Sequence, residues 1–257
     1  IRWRGGSTHY FPIDPPLAEA RNLSKVESYP KWPDGKDPFF VKNKGEEARM
    51  LHVETDYAVM ADPGFGSSTF HRYSYLRGFQ QWLVDMRCNP ELYRGLADKI
   101  FAINDDLIMS FLNEVGDYID VFCLSDDMGS QQVPFMGLGD FRVFVKPWLK
   151  RRIDMVKRAV PKVKVLYHSC GAIYPLIPEI IDSGVDILNP IQPRARGMQA
   201  ERLKKDFGDR ICFHGGIDVQ ELLPFGKTSD IKEYVKDFLE IMGPGGGYIL
   251  TSSQHMQ

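Results

Sequence analysis

KVLYHSCGAIYPL, residues 164–176, carries an apolar, partly β-branched run into His168-Ser169-Cys170-Gly171 and then into a helical pattern. In an extended strand, side chains two apart share a face, so His168 and Cys170 project together at the C-terminal end of a strand. An imidazole beside a thiolate is a donor pair that Zn²⁺ binds well, and a catalytic zinc needs only one further protein ligand. A buried cysteine beside a core histidine would look the same. The rest of the chain has to separate the two readings.

Outward from this stretch, short apolar runs alternate with helical patterns. Strands are expected at 50–55 (MLHVET), 57–62 (YAVMAD), 120–125, 163–168, 185–190, 210–215 and 247–252, the first two close enough for a hairpin. The spacing of apolar residues predicts helices over 90–115, 139–159, 173–182, 198–206 and 228–242. Strand then helix with short connections means parallel strands and right-handed crossovers, hence a (β/α)8 barrel or a doubly wound sheet. No Gly-rich phosphate fingerprint follows the first strand. The GPGGG run at 243–247 precedes a strand and reads as a tight helix-to-strand turn. The expected fold is therefore α/β, a (β/α)8 TIM barrel, incomplete at the N-terminus in this chain. Residues 1–48, rich in Pro, Gly and charge, are expected as an irregular arm or cap with one or two short helices, and 49–257 as the barrel domain. A start at Ile1 and an abrupt stop after TSSQHMQ read as a piece of a longer protein.

Composition excludes several classes. With 257 residues, 43% of them hydrophobic, the chain can bury one large α/β core. A formal net charge of -2 with no basic cluster argues against a nucleic-acid partner. Lys150-Arg151-Arg152 sits in a helical pattern, on a solvated face. No apolar stretch reaches the roughly 18 residues that span a bilayer, and no signal peptide is visible. Cys88, Cys123, Cys170 and Cys212 are scattered, as reduced thiols of a cytoplasmic protein are.

In a barrel of this kind the active site is built at the C-terminal ends of the strands. Polar and reactive residues collect there: Asp62, Asp126-Asp127, Ser169-Cys170, Asn189 with Gln192, Asp218, and Gln254-His255. Each alone has an ordinary turn or cap explanation. Six strand ends converging on one mouth are harder to explain that way. Asp126-Asp127 reads as substrate or cation recognition, as a general acid kept protonated by its neighbour, or as a helix cap with a solvated partner. Cys212 and His214 form a second same-face pair, for core packing or for the substrate. Cys123 reads as core. His255, after the last strand, is placed to bring a third zinc ligand across the mouth.

HSCG after a strand, NPIQP-x4-M at 189–198, FGDRICFHGGIDVQ-x-LLPFG at 207–226 and GGGYILTSS at 245–253 together resemble the uroporphyrinogen decarboxylase superfamily. More narrowly they resemble its methyltransferase-like branch, which includes the corrinoid-dependent methyltransferases. The resemblance covers residues 50–257. It implies a (β/α)8 barrel and a zinc held by His-x-Cys and a later Cys. His168 and Cys170 match the first two ligands. No cysteine follows Cys212, and His255 stands where the later one would be, with Gln254 beside it.

The implied activity is zinc-assisted methyl transfer to or from a corrinoid carried by a partner protein. The partners are then a small-molecule methyl donor or acceptor and the corrinoid protein, with a homo-oligomer allowed. Asp126, Asp127 and Asp218 are expected as catalytic residues, and Asp62, Asn189, Gln192 and His214 as substrate-binding ones. The resemblance implies that the decarboxylases hold tetrapyrrole carboxylates with N-terminal arginines, on a segment that residues 1–257 are not expected to include. Two other readings stay open: a metal-free lyase using Asp62, Asp126 or Asp218, and a non-catalytic barrel subunit.

Overall fold

The computed structural model describes residues 3–5, 10–12 and 14–254. These fall into two compact units, residues 1–119 with 158–161, and residues 120–157 with 162–257.

In the first unit, β1 (Trp3–Gly5) and β2 (Tyr10–Pro12) pair antiparallel. A short helix, Leu23–Glu27, starts at Asn22, whose side chain accepts from the Lys25 N–H. The organising element is the helix Pro90–Val115. Proline suits its first position, where no backbone donor is needed. Leu92, Leu96, Ile100, Leu107, Phe111 and Val115 recur at spacings of four and seven residues, which keeps them on one face, and all are buried. Against it lie the helices Phe70–Arg77 and Phe79–Cys88. Arg77 and Asp85, both buried, form a two-pronged ion pair: Nε to Oδ2 at 2.7 Å and Nη2 to Oδ1 at 3.1 Å. The pair is tied into its surroundings by further hydrogen bonds. Arg77 Nη1 donates to the carbonyls of Leu17 and Ala18, while Asp85 also accepts from Tyr73 Oη and Gln81 Nε2.

Two expectations for this region are overturned. Residues 50–55 are not a strand but the end of a helix, Lys44–Glu54, so the hairpin with 57–62 does not form. Only Met60–Ala61 (β3) is extended. Met50, Leu51 and Val53 are 43%, 50% and 65% exposed, so the apolar run was not marking a buried face. A short apolar run cannot tell strand from helix by period alone, and Glu46, Glu47, Ala48 and Arg49 ahead of it favour helix.

The second unit contains β4 (Val121–Ser125), β5 (Lys164–His168), β6 (Ile187–Ile191), β7 (Cys212–Ile217) and β8 (Tyr248–Ser252). All neighbours are parallel, and the order across the sheet is the order along the chain. A doubly wound sheet reverses direction at a switch point. This sheet does not. It is an α/β sheet of barrel type, and among the described residues its strands do not close into the complete eight-stranded ring that was expected.

The helices follow the predicted pattern with two breaks. Residues 139–159 form Leu138–Phe144 and Lys146–Ala159, and 173–182 open with a 3-10 turn before Ile177–Asp182. The segments at 200–207 and 228–242 are single helices. A turn with left-handed Gly245, Gly246 and Gly247 leads from the last of these into β8. Val121, Leu166 and Ile187 make one core cluster, with Cys123 and Cys212 packed against it. No described helix is long and apolar enough to cross a membrane.

Glu179 ties its own helix, Ile177–Asp182, to the helices Leu138–Phe144 and Lys146–Ala159. It is buried, and it accepts from Arg142 Nε at 2.7 Å and from Lys146 Nζ. The Lys146 and Arg142 hydrogen bonds hold its carboxyl below the usual range. A depressed folded-state pKa adds stability above the unfolded pKa, and that stability is lost as pH falls through the folded value. Glu179→Gln is therefore expected to lower stability by roughly 1–3 kcal/mol at neutral pH. The gap to wild type should close in acid, below about pH 4, in urea titrations of both proteins.

Candidate functional site

Parallel pairing sets a row of side chains across four strands. Ser125 is opposite His168, and His168 is opposite Asn189. Leu188 is opposite Phe213, and one residue on, where the register of β6 and β7 shifts, Asn189 and His214 come together. Laterally paired residues share a face, and hydrogen bonds join the three side chains of His168, Asn189 and His214. His168 Nδ1 lies 2.5 Å from Asn189 Oδ1, and Asn189 Nδ2 lies 2.5 Å from His214 Nδ1. An amide can satisfy both rings only if His168 donates and His214 accepts. His214 is held below its ordinary pKa by burial and by the His168 charge, as an accepting, neutral ring requires. The Nε2 atom of His168 is thus turned to the open side.

Cys170 Sγ stands 3.3 Å from that Nε2, as the two-residue spacing predicts. Asp127 Oδ1, from the loop after β4, is 3.5 Å from the same nitrogen and also accepts the Cys170 N–H at 2.9 Å. The three ligand atoms lie within 4.8 Å of one another. Ligand atoms on a zinc tetrahedron, with bonds of about 2.0–2.3 Å, stand about 3.3–3.7 Å apart. The separations from His168 Nε2, 3.3 Å to Cys170 and 3.5 Å to Asp127, fall in that range, and one nitrogen, one sulfur and one oxygen are a donor set zinc takes. The residues fit the ion.

Burial by itself would lower the His168 pKa. The hydrogen bonds and charges of Asp127 and Cys170 more than offset it, pushing the ring up to about 10. Burial pushes the Cys170 thiol up, against the opposing pull of His168. Without metal the pair therefore keeps its protons, and metal binding has to release them.

The loop carrying Cys170 is clamped from several sides. Met128 N–H donates to Ser169 Oγ at 3.1 Å, Ala172 N–H to the Ser130 carbonyl at 2.7 Å, and Gly171 N–H to Gln192 Oε1 at 2.8 Å. Gly171 has φ +95, and a Cβ there would sit 2.2 Å from the Gly129 carbonyl oxygen. Only glycine fits.

The sequence-predicted residues divide as follows. His168, Cys170, Asp127, Asn189, His214 and Gln192 form one hydrogen-bonded group. Asp126 is buried beside it, its N–H bonded to the His168 carbonyl at 2.9 Å and its own carbonyl accepting from Tyr167 Oη. Asp218 carries a different network. Its carboxylate accepts from the Gln220 N–H at 2.8 Å and from Arg194 Nη1 at 3.2 Å. Asp62, in the first unit, accepts from the Gly64 N–H at 2.7 Å. His255 lies outside the described residues. Sequence reasoning read Asp127 as catalytic or as part of a substrate- or cation-recognising pair, and did not join it to His168 and Cys170. Gln254, set beside His255 in the sequence reading as the lesser candidate, has its Nε2 3.6 Å from Cys170 Sγ, while the role of Ser169 as a clamp was missed.

The profile of the uroporphyrinogen decarboxylase family matches residues 48–256. A uroporphyrinogen decarboxylase of Chlorobium luteolum is 26% identical over 161 residues, which cover 60% of this chain and 40% of that protein. Proteins of the same name from Chlorobium phaeobacteroides and Chlorobaculum parvum are 24% and 23% identical, with the same coverage. The matched stretch thus spans well under half of each of these relatives.

Proposed function

Since the chain belongs to the uroporphyrinogen decarboxylase family, we propose that it is a zinc-assisted methyltransferase acting with a corrinoid held by a partner protein. The observation that carries the reading is the His168, Cys170 and Asp127 cluster at the ends of β4 and β5. These three residues would hold the metal. Zinc, when bound, supplies Lewis acidity, lowering the pKa of a thiol or polarising an oxygen of the methyl-bearing substrate.

This chain's own groups prepare the site. Asn189 fixes the His168 ring by accepting a hydrogen bond from its Nδ1–H, and His214 completes the chain on the far side of the amide. Gln192 and the Gly171 N–H hold the cysteine loop in place. Asp126 is the carboxyl assigned to proton transfer, while Asp218 is assigned to a small-molecule methyl donor or acceptor.

Metal analysis of protein purified without chelators tests the reading. Zinc near one per chain is expected in wild type, falling below roughly one tenth in His168→Ala and Cys170→Ser, because losing a ligand from a three-residue set removes most of the affinity. Methyl transfer from methylcobalamin to a thiol should fall in parallel. Wild-type protein without zinc would sink the proposal.

A second reading, decarboxylation of a tetrapyrrole, is favoured by the names of the three relatives. Turnover of uroporphyrinogen that survives a chelator would establish it instead.

A further inference from the structure

The first unit contains a cavity of about 350 Å³ that the reading above does not use. That is within the range of small-molecule sites, roughly 300–1,000 Å³. Two helices build most of it. Arg72, Tyr75 and Leu76 come from one, Ile100, Ile103 and Asn104 from the other, each set at i, i+3, i+4 and so on one helical face. The loop at 29–33 adds Tyr29, Lys31 and Trp32.

Three aromatic rings, two cations and no carboxylate line this space. The walls are held in place before any ligand arrives. Trp32 Nε1 donates to the Val26 carbonyl at 2.9 Å, and Tyr29 meets the Trp32 ring edge-on at 5.4 Å between centroids. The Arg72 guanidinium lies 6.0 Å from the Tyr75 ring centroid. Asn104 adds direction. It is 1% exposed, and its Nδ2 donates to the Ser68 carbonyl at 2.8 Å, which settles which end of the amide is which. Its Oδ1 accepts no hydrogen bond among the described residues. A buried acceptor without a donor is a demand that a ligand hydroxyl or N–H answers.

We propose that this cavity is a binding site for a small aromatic anion, a planar ring bearing one carboxylate and a hydrogen-bond donor. Tyr29, Trp32 and Tyr75 take the ring, Lys31 and Arg72 face the charge, and Asn104 takes the donor.

Calorimetric titration of the full chain with 4-hydroxybenzoate tests this. One saturable site per chain is expected. Phenol, which lacks the charge, and cyclohexanecarboxylate, which lacks the ring, should each bind about tenfold more weakly or worse. Trp32→Ala and Lys31→Glu should each weaken 4-hydroxybenzoate by about tenfold or more, whereas His168→Ala should leave it unchanged, separating this site from the candidate metal centre. Lys31 is exposed, so Lys31→Glu decides the matter if Trp32→Ala does not fold. No saturation by about 10 mM, or binding indifferent to Lys31→Glu, would overturn the assignment.

Discussion

Asp85→Ala is expected to destabilise the first unit by about 3–5 kcal/mol, the range found when one partner of a buried ion pair is removed. The Arg77 guanidinium is 2% exposed and donates to Asp85 through Nε and Nη2, so the substitution leaves a charge with no water and half its acceptors gone. Tyr73 loses its acceptor at the same time. Burial and the Asp85 carboxylate hold that phenol well above its ordinary pKa, so it is a neutral donor across the usable pH range. Much of the cost is the stranded charge, not the worth of the pair. The double change Arg77→Met with Asp85→Leu should therefore be markedly more stable than Asp85→Ala alone. Urea midpoints of the three proteins decide it. Equal losses in the single and double variants would mean that geometry, not charge, dominates here.

Gly171→Ala is the second large effect. It leaves His168, Cys170 and Asp127 untouched, yet the added methyl would meet the Gly129 carbonyl at 2.2 Å and the Ser130 carbonyl at 2.7 Å. Both obstacles are backbone, so the loop has to move and Cys170 moves with it. Alanine also disfavours φ +95. Zinc affinity is expected to fall by at least the 10–100-fold typical of lost support around a metal site. Competition with a chromophoric chelator measures it. Unchanged affinity would show that the cysteine does not need the clamped loop to reach a metal.

Much of this was legible in the sequence where local pattern and burial agree. The five strands from Val121 to Ser252 are short apolar runs bounded by turn residues, and all five are found close to where they were expected. The helices at 90–115 and 228–242 match because their apolar residues face a core at helical spacing. Residues 50–55 failed because their hydrophobicity is spent on the surface. His168 and Cys170 were readable as a pair because they belong to one strand end and a period of two places them together. Asp127 joining them was not, since it arrives from a different strand end, more than forty residues back along the chain. The aromatic cavity was invisible for the same reason, being assembled from two ordinary helix faces and a loop that lie far apart along the chain.

The strand order of the second unit has a kinetic side. From β5 onward, each strand takes its first neighbour from the strand made immediately before it, a few tens of residues earlier. Loop closure over such spans is entropically modest. No strand of this series waits for a later segment in order to find a partner, so the sheet can lengthen at one edge in the direction of synthesis. The row from Ser125 to His214 is then assembled left to right, one residue per finished strand.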